Sequence, residues 1–275
     1  MVVSTRRAAV LGKPIAHSLS PVIHTAGYAA AGLTGWSYTR IECAAAELPA
    51  LVAGLGPEWA GLSVTMPGKE AALEVAAEAS AVAVAVGAAN TLVRRPDGSW
   101  YADNTDVGGM VEVLTGAGVR PGAAVTVLGA GGTARAALAA AAGLGARAVT
   151  VVARRAAAVD ELRAVACAVD VPMRGAAWAD AAHHTGADVV ISTVPKGVAD
   201  PLAGTVAWRP EAVLFDALYD PWPTPLAASA QAAGCRLVSG LDLLLAQAVG
   251  QFEQFTGVAA PRAEMAAVLA AARAA

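Results

Sequence analysis

Short runs of β-branched and other apolar residues alternate with longer, alanine-rich stretches along most of the chain. In the first hundred residues this alternation predicts strands at 8–11, 36–41 and 61–65 and helices at 21–33, 44–54 and 69–86. Residues 91–95 and 99–102 flank Pro96-Asp97-Gly98, a turn sequence that suits a hairpin. Strands that alternate with helices indicate an α/β fold built in layers.

The second half of the chain continues the alternation. A helix from residue 106 leads to apolar runs near 124–128, 149–153, 188–192, 213–216 and 236–238, which alternate with helices. Strands connected in this way form a parallel sheet with right-handed crossovers. The segment 241–255 has one apolar helical face, and this helix and the one from Pro261 are expected to pack on the first domain. We predict two domains, 1–105 completed by 241–275, and 106–240.

A glycine-rich turn marks the second domain as a dinucleotide site. The strand 124–128 runs into Gly129, Ala130, Gly131, Gly132, Thr133 and Ala134, and then into an alanine-rich helix. Such a turn lets the backbone approach a pyrophosphate, which the positive end of the helix dipole attracts, and Ala134 fills the small-residue position. The predicted domain is therefore Rossmann-like.

The end of the next strand distinguishes the two nicotinamide cofactors. An NAD site carries Asp or Glu there to bind the ribose, whereas this chain has Arg154 and Arg155, which suit the 2′-phosphate of NADP. The alternative is that both arginines belong to a solvated loop. We predict an NADP(H) site.

Composition excludes several classes of protein. Hydrophobic residues make up 56% of the 275 residues, but much of this is alanine, and charges recur too often for a bilayer span. No signal peptide is visible, so a cytoplasmic protein without membrane partners is expected. The net charge of −3, with no basic run, argues against nucleic-acid binding. Cys43, Cys167 and Cys235 are far apart, which predicts buried thiols rather than disulfides or a metal site.

Lysine is rare in this chain, and its positions are informative. Of the nineteen basic residues only Lys13, Lys69 and Lys196 are lysines. Lys69 falls in the first turn of the helix after strand 61–65, and a lysine amine, unlike a guanidinium, can lose its proton in a suitable environment. The alternative is an exposed lysine at a helix start. Asp106 could be a helix N-cap, or it could share proton transfer with Lys69 if both face one cleft.

Two serines and one glutamine are candidates for substrate binding. Ser20 precedes Pro21 and has a structural explanation as an N-cap, whereas Ser18 has none, and together with a helix N-terminus they could receive a carboxylate. Gln247 lies on or beside an apolar helical face, where its amide needs partners, either a neighbouring loop or substrate hydroxyls. Four histidines are interpreted as structural or surface groups: His17, His24, His183 and His184.

Eight segments, in order and over nearly the whole chain, closely resemble the shikimate dehydrogenase family. They are residues 11–21, 63–70, 87–92 and 103–106, the glycine turn, residues 191–195, residues 216–221 with 224–226, and Gly240 through Gln247 to Gly257. The resemblance implies an enzyme that reversibly reduces the 3-keto group of 3-dehydroshikimate with NADPH, a step toward aromatic amino acids. The expected partner is a small-molecule substrate, and the expected state is a monomer or homodimer.

The resemblance assigns roles residue by residue. Lys69 and Asp106 would be the catalytic pair. The implied substrate contacts are Ser18 and Ser20 with the carboxylate, Tyr219 on the same side, and Thr65, Asn90, Asp106 and Gln247 with the ring hydroxyls. Leu218 and Gly240 would border the nicotinamide, Thr193 would lie on the cofactor side, and Arg154, supported by Arg155, would meet the 2′-phosphate.

The chain departs from the family pattern at three places. Ser63 and Thr25 stand where the family often has asparagine, which bears on the choice between shikimate and quinate. Ala153-Arg154-Arg155 replaces Asn-Arg-Thr but keeps a cation. Two alternatives stay open: a quinate/shikimate dehydrogenase that uses NAD, and a catalytically silent NADP-binding or regulatory protein on the same scaffold.

Overall fold

The computed structural model describes residues 5–274, and their secondary structure is mixed α/β. The strands are β1 (Arg6–Gly12), β2 (Trp36–Glu42), β3 (Trp59–Val64), β4 (Glu78–Ala79), β5 (Thr91–Arg94), β6 (Trp100–Asp103), β7 (Ala124–Leu128), β8 (Ala148–Ala153), β9 (Met173–Ala177), β10 (Val189–Ser192), β11 (Val213–Asp216) and β12 (Arg236–Ser239). The helices are α1 (Ser20–Ala30), α2 (Leu48–Ala53), α3 (Lys69–Val75), α4 (Ala81–Val86), α5 (Thr105–Gly116), α6 (Gly132–Gly143), α7 (Ala156–Ala168), α8 (Ala181–His184), α9 (Pro225–Ala232), α10 (Gly240–Thr256) and α11 (Arg262–Ala274). The predicted fold class is confirmed.

The chain forms two compact units. The first comprises the residues up to Thr105 and those from Leu244 onward, and the second comprises Asp106–Leu243. Each unit has its own six-stranded sheet. No helix among the described residues has both the length and the apolar character that a bilayer crossing requires.

The sheet of the first unit has the strand order β2-β1-β3-β5-β6-β4. Strands β1, β2 and β3 are parallel, β5 is antiparallel to both β3 and β6, and β4 is parallel to β6. The carboxyl ends of β1, β3 and β6 therefore lie at the same edge as the start of β5. Helix α11 packs against α1, so the C-terminal segment completes this unit, as the sequence predicts.

The second unit has a wholly parallel sheet in the order β12-β11-β10-β7-β8-β9. If the strands are numbered in chain order with β7 as strand 1, the order from β9 to β12 is 3-2-1-4-5-6, which is the order of a Rossmann fold. Ligands in such sheets bind beyond the carboxyl ends of the strands, at the point where the strand order reverses. In this sheet that point lies between the neighbouring strands β7 and β10. This topology confirms the Rossmann-like prediction.

Two predictions of secondary structure are wrong. The predicted helix 69–86 is broken into α3 and α4 by the short strand β4, because this segment pairs with β6. Ser80 then restarts the helix as an N-cap whose hydroxyl accepts a hydrogen bond from the Ala83 N–H at 3.0 Å. The sequence does not predict the edge strand β9, because Met-Arg-Gly-Ala-Ala has little β propensity.

Candidate active site

Three of the predicted site residues, Thr65, Lys69 and Asn90, lie near one edge of the sheet of the first unit, together with Thr105. Thr65 and Lys69 follow β3, Asn90 immediately precedes β5, and Thr105 follows β6. Main-chain hydrogen bonds connect these segments: the Thr65 N–H donates to Leu11, and the Ala89 N–H donates to the Lys69 carbonyl at 2.8 Å. The sheet topology therefore brings together residues that are distant in the sequence.

Ser18 and Ser20 do not have the structural roles that the sequence suggests. Helix α1 begins at Ser20, so Ser20 is not its N-cap, and no side chain caps this helix. Instead the Ser18 hydroxyl accepts a hydrogen bond from the Ser20 N–H at 3.3 Å, which gives Ser18 a local structural function. Ser20 is buried and its hydroxyl lies close to the phenol of Tyr38, whereas Ser18 is half-buried.

Lys69 begins helix α3, as predicted, and its side chain is half-buried. Asp106 is buried and lies in the first turn of α5, which begins one residue earlier at Thr105, so the alternative of Asp106 as a helix N-cap does not hold. The Thr105 N–H donates instead to the side-chain oxygen of Asn90 at 2.8 Å. Residues 89 and 90 thus hold the main chain at Lys69 and at Thr105, the residue before Asp106.

Asn90 is the centre of a buried cluster of amides and hydroxyls. Its side-chain oxygen accepts hydrogen bonds from the Thr91 hydroxyl at 2.7 Å and from Thr105. Its side-chain nitrogen donates to the Thr105 hydroxyl at 3.0 Å and to the Gln247 oxygen at 3.5 Å. The Gln247 nitrogen donates to the Leu244 carbonyl at 2.8 Å, so part of the amide is used within its own helix.

The cluster continues through Tyr38, Ser63 and Gln251, which, like Thr91 and Thr105, are not among the site residues predicted from the sequence. The Tyr38 hydroxyl donates to Ser63 at 2.6 Å, and Ser63 donates to the Gln251 oxygen at 2.6 Å. The Gln251 nitrogen donates to the Asn90 carbonyl at 2.9 Å and to the Thr91 hydroxyl at 3.0 Å. Gln251 lies four residues after Gln247, and this helical spacing on α10 is the one sequence signal that could have identified it.

An aromatic cluster lies behind these polar groups. His24 on α1 is fully buried and stacks on Tyr38, with ring centroids 4.2 Å apart and planes inclined by 6°. Burial lowers the pKa of His24 to about 3, although the nearby Gln251 amide partly opposes this shift. Burial also raises the pKa values of Tyr28 and Tyr38. The interpretation of His24 as a structural group agrees with this setting.

The glycine turn of the second unit follows β7 directly. Gly129 has φ of +108°, and a Cβ there would overlap the Thr193 hydroxyl, so only glycine fits. Gly131 and Gly132 are exposed, and a Cβ on either would meet nothing within 4 Å, so their backbone is accessible. Helix α6 starts here without a side-chain cap, which leaves its first N–H groups available to an anion. Thr133 and the buried Ala134 follow in its first turn, and Ala130 is half-buried.

The remaining predicted cofactor residues follow neighbouring strands at the same edge. Arg154 and Arg155 come after β8 and are exposed, Thr193 comes after β10, Leu218 after β11, and Gly240 directly after β12. A Cβ at Gly240 would overlap the Ala217 carbonyl, which requires glycine at this position. The fold thus gathers these residues, which are scattered over more than a hundred positions of the sequence.

Asp216 holds the loop that carries Leu218 and Tyr219. It accepts hydrogen bonds from the Leu218 N–H at 3.2 Å and from the Thr224 hydroxyl at 2.7 Å. Burial raises the pKa of Asp216, while the hydrogen bonds from Thr224 and Leu218 oppose this shift. Burial also raises the pKa of Tyr219, which is half-buried.

The cysteines form no disulfide among the described residues. Cys43, Cys167 and Cys235 are free thiols, but Cys167 is exposed, so the prediction that all three are buried is wrong for this residue. Cys167 lies near the end of α7, on its solvent side. Within residues 5–274, no group of three His, Cys, Asp or Glu side chains is arranged to hold a metal ion.

These features define the class of protein. Nicotinamide-dependent dehydrogenases typically combine two such units. One has a sheet in the Rossmann order with a glycine turn, an uncapped helix and a pair of arginines, and the other is an α/β unit with a buried polar cluster.

Comparisons with known proteins identify the family. Models described as the shikimate dehydrogenase substrate binding domain and the shikimate 5'-dehydrogenase C-terminal domain match residues 10–92 and 240–270. A curated relative from Methylobacterium radiotolerans, named shikimate dehydrogenase (NADP(+)), is 40% identical over 267 residues, which cover 94% of this chain and 93% of the relative. The chain belongs to the shikimate dehydrogenase family.

Solved structures agree with this assignment. The crystal structure of Mycobacterium tuberculosis shikimate dehydrogenase is 52% identical, with a TM-score of 0.89 over 97% of this chain and 99% of that one. A shikimate 5-dehydrogenase from Thermus thermophilus, in complex with NADP(H) and shikimate, is 29% identical, with a TM-score of 0.83 over 98% of this chain and 100% of that one.

Proposed function

We propose that this protein catalyses the reversible, NADP-dependent oxidation of shikimate to 3-dehydroshikimate. The observation that carries the proposal is the buried cluster around Asn90, which fixes the main chain at Lys69 and at Thr105, the residue before Asp106. Full-length similarity to proteins named shikimate dehydrogenase (NADP(+)) supports the same activity. The first unit would bind the substrate and the second would bind the cofactor.

The polar groups of the first unit suit a small polyhydroxylated acid. Ser18 and Ser20 lie at the start of α1, where hydroxyls and the helix dipole attract a carboxylate. Asn90, Gln247 and Thr65 supply amide and hydroxyl groups for ring hydroxyls. We propose that Tyr219, in the loop held by Asp216, contributes on the carboxylate side.

Lys69 and Asp106 would transfer the proton to and from the reacting oxygen of the substrate. When shikimate is oxidised, the C3 hydroxyl loses its proton to one of these groups, and C3 loses a hydride. In the reverse direction the same pair returns the proton to the carbonyl oxygen as the carbonyl is reduced.

The residues of the second unit fit NADP(H). When bound, the nicotinamide supplies or accepts the hydride. The exposed backbone of Gly131 and Gly132 and the uncapped start of α6 suit the pyrophosphate. Arg154, with Arg155 in support, would pair with the 2′-phosphate, because both are exposed at the end of β8 where NAD sites carry an acidic residue. We propose that Thr193, Leu218 and Gly240 line the nicotinamide side.

We further propose a cytoplasmic protein that acts as a monomer or homodimer. All three cysteines are free and Cys167 is exposed, which fits a reducing compartment.

The proposal is tested by steady-state formation of the reduced cofactor, followed by its absorbance, in four reactions: shikimate or quinate, each with NADP or NAD. We expect shikimate with NADP to give the highest kcat/KM. A preference for quinate with NAD would favour the alternative dehydrogenase. Binding of NADPH without turnover of either substrate would favour a catalytically silent protein.

A further inference from the structure

We propose that Thr91 and Gln251 are positioning residues that fix the direction of the hydrogen bonds around Asn90, so that Asn90 presents its amide N–H, rather than its oxygen, to the substrate. The inference rests on the proposed function, in which Asn90 contacts a ring hydroxyl. It explains why Gln251, which lies beneath the cluster, is completely buried.

The first end of this network is fixed by a backbone carbonyl. The Asn90 carbonyl can only accept a hydrogen bond, so the Gln251 atom 2.9 Å from it must be the nitrogen. The same nitrogen lies 3.0 Å from the Thr91 hydroxyl and donates to it. The hydroxyl proton of Thr91 is then free to point at the Asn90 side-chain oxygen, 2.7 Å away.

The second end is fixed independently by a backbone N–H. Thr105 N–H can only donate, so the Asn90 atom 2.8 Å from it must be the side-chain oxygen. This oxygen therefore receives hydrogen bonds from the Thr105 N–H and the Thr91 hydroxyl, and the Thr105 hydroxyl lies 3.2 Å from it, so its acceptor capacity is used. The two ends agree on one orientation of the Asn90 amide.

The nitrogen of Asn90 is consequently the group that can exchange partners. One of its contacts is the long 3.5 Å hydrogen bond to Gln247, which a substrate oxygen could replace or share at little cost. A ring hydroxyl that meets Asn90 must accept this hydrogen bond, and it keeps its own proton for another acceptor. The network therefore selects the orientation of the substrate hydroxyl.

The hydrogen bonds on the far side of the network also have one direction. Because the Gln251 nitrogen donates to the Asn90 carbonyl and to Thr91, the Gln251 side-chain oxygen faces Ser63. The Ser63 hydroxyl must therefore donate to this oxygen, 2.6 Å away. The Ser63 proton is thus used, and Tyr38 must donate to Ser63. All these side chains are buried, so solvent does not offer alternative partners.

Thr91→Val tests the inference because valine keeps the shape and the β-branch but removes the hydroxyl. We expect the KM for shikimate to rise by about 2- to 12-fold, the range of one ordinary hydrogen bond, while kcat falls less and the KM for NADP is unchanged. Calorimetric titration of shikimate into the protein should show the same loss of affinity. Thr91→Ser restores the hydroxyl and should recover most of the affinity.

Two more variants separate positioning from stability. Gln251→Met removes both amide groups from the network and should raise the KM for shikimate in the same way, which keeps the test available if Thr91→Val does not fold. Gln254→Met is the matched control on the same helix, because Gln254 donates to Asp103 at 2.7 Å and has no hydrogen bond to Asn90. It should lower stability but leave the KM for shikimate unchanged.

An unchanged shikimate KM in Thr91→Val and Gln251→Met, with wild-type turnover intact, would overturn this inference and leave the proposed function standing. Equal KM values for Thr91→Ser and Thr91→Val would overturn it as well, since the hydroxyl would then be irrelevant. Absence of shikimate turnover by the wild-type protein would refute the proposed function itself.

Discussion

Acid should destabilise this protein partly through one residue, His24. The ring is fully buried against Tyr38, and among the described residues neither of its nitrogens has a hydrogen-bond partner. Burial lowers its pKa from 6.5 to about 3. The unfolded chain therefore binds a proton at a pH where the folded protein does not, and stability falls as the pH decreases from about 6.5 toward 3.

The size of this effect follows from the shift. At about pH 4.5 the solution lies about two units below the unfolded pKa and still above the folded one. Each unit corresponds to about 1.4 kcal/mol, so protonation of His24 in the unfolded state lowers the free energy of unfolding by about 2.7 kcal/mol relative to neutral pH.

His24→Phe removes the titrating group and keeps an aromatic ring beside Tyr38. Urea unfolding of the wild type and the variant at about pH 7.5 and about pH 4.5 gives the comparison. We expect the wild type to lose roughly 2–3 kcal/mol more than the variant on acidification. His183→Gln is the control, since His183 is exposed, and it should follow the wild type.

Equal loss in the wild type and His24→Phe would refute this reasoning. It would mean that the His24 ring takes up its proton in the folded state, and that its setting is more polar or more open than its burial indicates.

Further predictions concern packing and the cofactor. Gly61→Ala should destabilise the protein by about 1–3 kcal/mol in urea unfolding, because the added methyl would overlap the buried Phe255 ring. Gly116→Ala is the control and should not destabilise the protein, because a Cβ there would meet nothing within 4 Å. Equal stability of the two variants would contradict this packing. Arg154→Ala should raise the KM for NADP by roughly 10- to 150-fold and leave that for NAD within about twofold. Arg163→Ala, which removes a surface pair with Asp160 on α7, is its control, and equal weakening toward NADP and NAD would refute the 2′-phosphate assignment.

The sequence predicts most of the fold, because the signals it uses are local. Strand β7, the glycine turn and α6 follow one another directly, and the positive φ of Gly129 is a property of the turn itself. The segment 69–86 misleads the same reasoning. Its alanine-rich pattern favours one helix, yet pairing of Glu78 and Ala79 with β6 breaks it. Ser80, a strong N-cap residue within the run, is the local signal of that break.

The candidate site is less accessible to sequence reasoning because its contacts are long-range. Ser63 and Gln251 are 188 residues apart and share a 2.6 Å hydrogen bond. Neither residue type nor spacing indicates such a pair, and Ser63 stands out only as a departure from the family pattern. The N-cap prediction for Ser20 fails for a different, local reason: α1 begins one residue earlier than proline placement suggests.

Proton transfer by Lys69 is the centre of the proposed reaction, and one variant tests it directly. In Lys69→Ala we expect kcat for shikimate oxidation to fall by about 100- to 10,000-fold, while the Kd for NADPH, measured by fluorescence titration, stays close to that of the wild type. Lys13→Ala, at an exposed lysine with one surface ion pair, should keep wild-type turnover. A Lys69→Ala protein that oxidises shikimate at the wild-type rate would remove lysine from the mechanism and contradict the proposal.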